Sequence, residues 1–217
     1  MPETKTSARA ARDERAARVA ALRAEQRRKD RRRTVLLASV VGVVVLALVG
    51  ATTVVIVRAV REDARVESAA TRDIDGVETF ADLTANHTSG AVTYAQTPPV
   101  GGDHDPAWQN CGVYTEPVRD ENAVHSLEHG AVWITYDPDL PADEVAALDR
   151  LAKGQGYVLV SPYAGLDAPV VVSAWGYQLK VESADDARLP VFLKKYVLNR
   201  DLPEVGAPCS NGVGIPA

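Results

Sequence analysis

Hydrophobic and polar positions follow two regimes along the chain. From Thr34 to Val57 it reads TVLLASVVGVVVLALVGATTVVIV, 24 residues without a charge. A helix needs roughly 20 apolar residues to cross a hydrocarbon core of about 30 Å, so this stretch predicts one transmembrane helix. A cleaved secretory signal carries a shorter apolar region, about 7–15 residues, with a small-residue cleavage site close behind it. The length here therefore points to an uncleaved signal anchor. Arg32-Arg33 ahead of the stretch leaves a twin-arginine export signal as the alternative reading.

Beyond Ile74 the apolar runs are short and separated by turn residues. AVTYAQ (91–96) and AVWITYD (131–137) read as strands, the second buried. PADEVAALDRLAKGQG predicts a helix with acids at its start, Val145, Leu148 and Leu151 on one face, and Gly154 as its stop. YVLVSPY and APVVVSAWGYQLKVE give two further strands, with Ala-Trp-Gly-Tyr marking a bulge inside the second. SADDARLPVFLKKYVLNRD closes as a helix: Ser183 and Asp186 form a capping-box variant, Pro190 lies in the first turn, and Leu189, Phe192, Leu193 and Tyr196 face inward. This order predicts an α+β fold: a small mixed or antiparallel sheet with two helices packed on one face, preceded by one transmembrane helix. The expected segments are a basic tail at 1–33, disordered or partly helical, the span at 34–57, a charged connector at 58–73 and the folded domain at 74–217.

Charge adds an orientation. The first 33 residues hold 12 Lys/Arg against 5 Asp/Glu, whereas the remaining 184 hold 12 against 24. Basic flanks stay on the cytoplasmic side, so the N-terminus is expected inside and the 74–217 domain outside, on the cell membrane. The tail lacks the aromatic or groove-reading elements of nucleic-acid binding. It reads instead as a segment whose basic end touches anionic headgroups. The expected partners are thus the membrane and another envelope or membrane protein, with no nucleic acid.

Candidate chemistry gathers in one window. All four histidines, His87, His104, His125 and His129, lie in the outer half, and VHSLEHG (124–130) places two of them four residues apart beside Glu128. If Asp120 caps a short helix ending at Gly130, His125 and His129 stand one turn apart on a common face, the spacing by which a helix offers two imidazoles to one cation. His104, from the Pro/Gly-rich loop between Thr97 and Tyr114, is placed to join as a third ligand, with His87, Glu128 or Cys111 nearby. Such a set suits a copper or zinc ion better than calcium or magnesium. A second reading keeps the histidines structural, His125 and Glu128 binding loop backbone and His129 the helix end, within a non-catalytic envelope interaction domain. A third reads His-x-x-Glu-His as a metal-dependent hydrolase with Glu128 as base. The preferred reading assigns no catalytic residue.

The run PPVGGDHDPAWQNCGVYTEPVRDENAVHSLEHGAVWITYDPDL (98–140) resembles the domain-of-unknown-function family 3105, found in membrane-anchored proteins of high-GC bacteria. The residues that carry the resemblance are Pro98, Pro99, Gly101, His104, Glu121, His125, Glu128, His129 and Gly130. The resemblance implies an anchored, extracytoplasmic architecture and no particular activity.

Cys111 and Cys209 are the only cysteines. An even count in an oxidising compartment predicts one disulfide tying the Pro/Gly loop to the C-terminal tail, with a Cys111 thiolate beside His104 as the alternative. There is no Cys-x-x-Cys, and Ser126 lacks the Gly-x-Ser-x-Gly setting of a nucleophile.

Overall fold

The computed structural model describes residues 3–217, with side chains from Arg12 onward. Its contacts divide the chain into two units, Met1–Arg61 and Glu62–Ala217.

Helix α1, Glu3–Ala70, runs without a break through the basic tail, the apolar stretch and most of the charged segment after it. Good helix formers and i, i+4 pairs such as Glu14–Arg18 (2.6 Å) and Glu25–Lys29 (2.7 Å) carry its polar part. In the apolar part the hydroxyls turn back on their own helix. Ser39 donates to the Val35 carbonyl at 2.8 Å and Thr53 to the Val49 carbonyl at 2.8 Å, which satisfies these hydroxyls within the helix itself. By length and composition α1 is long and apolar enough to cross a membrane.

The second unit is a six-stranded mixed sheet with helices. Its elements are β1 (Val77–Thr79), β2 (Gly112–Val113), α2 (Asp120–Glu128), β3 (Val132–Tyr136), α3 (Ala142–Ala152), β4 (Val158–Pro162), β5 (Val170–Ala174), β6 (Tyr177–Val181) and α4 (Arg188–Tyr196). The strand order is β1-β6-β5-β3-β4-β2. β3 and β4 are parallel, as are β4 and β2, and the other pairs are antiparallel. Parallel neighbours need a crossover, and α3 supplies it between β3 and β4.

The period of two along β3 sends Val132, Ile134 and Tyr136 to one face and Trp133 and Thr135 to the other. On the first face α3 and α4 bury Leu148, Leu189 and Phe192 against the strands, so these two helices share a face as expected. On the second face Ala123 and Leu127 of α2 meet Trp133 and Leu159.

Several local expectations change. AVTYAQ forms no strand: the Val92 N–H is taken by Glu121 Oε1 at 2.9 Å and the Tyr94 hydroxyl by the Asp103 carbonyl at 2.8 Å, so the segment wraps the second face. The supposed bulge is a hairpin. Ala174 pairs with Tyr177 across a Trp175-Gly176 turn in which Gly176 takes φ 79°, so one long strand becomes β5 and β6. Asp120 is the first residue of α2 rather than its cap, with Arg119 in the N-cap position. Ser183 does not cap α4 either. Ala187 holds the N-cap position, and the Asp186 carboxylate accepts the Arg188 N–H at 2.8 Å.

Candidate functional site: a histidine cluster beneath the Pro/Gly loop

Eight of the nine residues of α2 are buried, including Glu121, Asn122, His125, Ser126 and Glu128. A helix buried on all sides and yet polar must find a partner for each side chain. For three of them the Pro/Gly loop provides bare carbonyls. Asn122 Nδ2 donates to Ala107 O at 2.6 Å, Ser126 Oγ to Gln109 O at 2.7 Å, and His125 Nδ1 to Asp105 O at 2.7 Å. Arg119 holds the mouth of the loop through Asp105 (2.7 Å) and Glu121 (2.8 Å).

Three imidazoles follow one rule. His104 Nδ1 lies 2.8 Å from Gly102 O, His125 Nδ1 2.7 Å from Asp105 O, and His129 Nδ1 2.7 Å from Pro208 O. A carbonyl only accepts, so each Nδ1 carries the proton, and each Nε2 of a neutral ring keeps a free lone pair. This outer contact to a carbonyl is the one that orients ligating histidines in metalloproteins. His87 enters through a backbone bridge with His104: Thr88 N–H donates to His104 O at 2.7 Å and His104 N–H to Asn86 O at 3.0 Å.

The rings converge. His125 lies 4.8 Å from His104, 4.9 Å from His87 and 4.5 Å from His129, centroid to centroid. Trp175 stands behind His104 at 5.9 Å, and Trp108 beside His129 at 5.2 Å. The donor atoms fall into two sets, each with members within 4.8 Å of one another: His87, His104, His125 and Glu128 in one, His125, His129 and Glu204 in the other. These His/Glu groups can hold a metal ion.

One contact in the first set stands out chemically. His104 Nε2, fully buried, has no hydrogen-bond partner, and it faces Glu128 Oε2 at 3.0 Å. Two lone-pair groups at that distance repel unless a proton or a cation lies between them. Burial raises the Glu128 pKa against the pull of His104. Burial likewise pushes His125 down to about 4, opposed by its bond to Asp105 and reinforced by the neighbouring rings, so this imidazole is neutral at pH 7.

A family described as "Protein of unknown function (DUF3105)" matches residues 86–211, more than half of the chain and a span that takes in His87, Glu204 and every donor between them. The chain belongs to this family. No curated protein and no solved structure matches it. Both donor sets and both cysteines of this DUF3105 member therefore lie inside the matched region.

The sequence-derived candidates are redistributed. His104 and His125 lie together with His87 and Glu128, and His125 and His129 lie together with Glu204, so His129 is separated from His104. Cys111 is bonded to Cys209 with Cα atoms 5.3 Å apart, and a bonded sulfur offers no thiolate, so the Cys111 ligand alternative falls away. Glu204 was missed. Its signal was the cysteine pair: a bridge from Cys111 to Cys209 draws the segment DLPEVGAPC to the loop that carries His104.

Proposed function

We propose that this protein is a single-pass, N-in membrane protein whose outer domain, residues 74–217, binds a copper or zinc ion in its histidine cluster, through His104, His125, His87 and Glu128, with His129 beside them in the set that shares His125. The tail at 1–33, the span at 34–57 and the connector at 58–73 complete the proposed organisation. The observation that carries the metal reading is the bare, buried Nε2 of His104 facing Glu128 beside two further imidazoles oriented by backbone carbonyls. Imidazole nitrogens with one carboxylate favour copper or zinc over calcium or magnesium. The basic flank of α1 and the disulfide support an outer, oxidising location. Delivery, sequestration or support of another envelope or membrane protein are the roles such a site serves.

The structural reading of the histidines has support at Nδ1 only. Those nitrogens hold the loop and tail in place, while the Nε2 atoms do not. The hydrolase reading asks Glu128 to work on a water, but its side chain is 4% exposed and turned to His104, which favours a donor over a base.

The test is the metal content of the full chain in detergent, purified without a polyhistidine tag, by mass spectrometry beside a His125→Ala/His129→Ala variant. One equivalent of copper or zinc, lost in the variant, is expected. A parent still empty after titration with both ions at neutral pH would leave Glu128 holding a proton against His104 and would reduce the cluster to a polar knot.

A further inference from the structure

We propose that the cluster is a two-station path for a single ion, a reading that rests on the proposed metal binding. One station is Glu204, His129 and His125; the other is His125, His104, His87 and Glu128.

The shared residue decides the stoichiometry. His125 belongs to both donor sets, and its Nδ1 is committed to Asp105 O at 2.7 Å. It therefore has one lone pair, at Nε2, and one lone pair binds one ion. Filling one station empties His125 from the other, so the two sets alternate rather than forming a two-metal centre.

The spacing allows the ion to pass without release. From His125, the His129 ring is 4.5 Å away and the His104 ring 4.8 Å away. An ion that keeps its bond to His125 can give up His129 and Glu204 and take His104, His87 and Glu128. Only coordinate bonds are exchanged, one set for another, and no electron or proton need be supplied.

Each station opens to solvent through one member, half-exposed Glu204 in the first and exposed His87 in the second, while His129, His125, His104 and Glu128 are buried. Donor strength gives the stations different tasks: two imidazoles with a half-exposed carboxylate suit capture, and three imidazoles with a buried carboxylate suit retention. Glu204 also reaches His129 only because the tail is pinned there. Gly206 N–H donates to His129 O at 2.9 Å, Pro208 O receives His129 Nδ1, and Cys209 is bonded to Cys111. The loading station is thus attached to the domain through the disulfide.

The probe is Co(II), whose visible absorption reports its donor set, added to the full chain in detergent. The wild-type chain should bind one Co(II). Glu204→Gln, an exposed and conservative change, should keep that stoichiometry and the final spectrum while slowing loading about tenfold or more in stopped-flow. His104→Ala with Glu128→Gln should still bind one Co(II), with an altered spectrum and faster loss to a chelator. Two Co(II) bound together by the wild type, or a Glu204→Gln chain that loads at the wild-type rate, would overturn the two-station path and leave metal binding standing. A wild-type chain that binds no Co(II), copper or zinc would overturn the metal reading itself.

Discussion

On one face of the sheet α3 and α4 bury Leu148, Leu189 and Phe192 against valines of four strands, while on the other α2 buries two carboxylates, an amide, a hydroxyl and an imidazole. The first face needs only shape and burial. Any well-packed apolar set of similar volume would serve, because the hydrophobic contribution has no direction. The second is held by directed contacts: Asn122, His125 and Ser126 each donate to a particular carbonyl of an irregular loop, and Glu121 accepts from the Val92 N–H and Arg119. Where those contacts are complete the face is rigid. Where one is left incomplete, at His104 Nε2, it is chemically available. The difference teaches that the Pro/Gly loop is irregular for a reason: a strand there would spend its carbonyls on a neighbouring strand, and α2 would have none.

Changes that separate the two faces should sort by size. The largest effect is expected from opening the loop-to-tail bridge. Cys111→Ser with Cys209→Ser frees a loop of about 98 residues and should cost about 4–5 kcal/mol in the chain-entropy picture, read as a lowered denaturant midpoint by tryptophan fluorescence. Metal affinity should fall with it, because Pro208 and Glu204 hang on that bridge; unchanged affinity would detach the tail from the site. Phe192→Ala comes next. Emptying a fully buried ring on the apolar face should cost about 3–4 kcal/mol while metal bound per folded molecule stays the same, and a parallel loss of metal would erase the distinction between the faces.

Acid should act on the polar face through His125. The His125 pKa is about 4 when folded against 6.5 for the free group, so between those values the unfolded chain takes up a proton that the folded chain refuses. Stability of the metal-free chain should therefore fall by about 3 kcal/mol as pH drops from 6.5 to 4, with no further change from this group below 4. A His125→Gln chain whose pH profile matched the parent would remove this assignment. The smallest effect belongs to Ser126→Ala, which strands the Gln109 carbonyl and should cost about 1–2 kcal/mol in the same denaturant assay. A neutral result there would show that α2 does not depend on the loop bond by bond.

The apolar face was the legible one. β3, β4, α3 and α4 could be read because their periodicity is local, and Leu189, Phe192, Leu193 and Tyr196 are all buried on α4 as their spacing predicts. Trp175-Gly176 escaped as a turn because a bulky aromatic is an unusual partner for glycine in a two-residue loop. It is held by distant backbone: Gly176 N–H donates to Val100 O at 2.7 Å and Phe80 N–H to Gly176 O at 2.8 Å. β1 and β2, three and two residues long, have no pattern of their own and exist only through β6 and β4. In the site, the i, i+4 spacing of His125 and His129 was readable, but the separation of His129 from His104 into two donor sets that share His125 was not. That division depends on where His87 and Glu204 arrive from 38 and 79 residues away in sequence, measured from His125.

The brevity of β1 and β2 has a further consequence for the membrane-anchored arrangement proposed above. They are the two rims of the sheet, and a long open rim is a template on which a neighbouring copy can add a strand. Here one rim is three residues and the other two, and the Val113 carbonyl on the shorter is taken by the N–H of Ala217 at 2.8 Å. Copies crowded side by side in two dimensions, at local concentrations far above those in solution, would meet at rims that offer almost nothing to pair with.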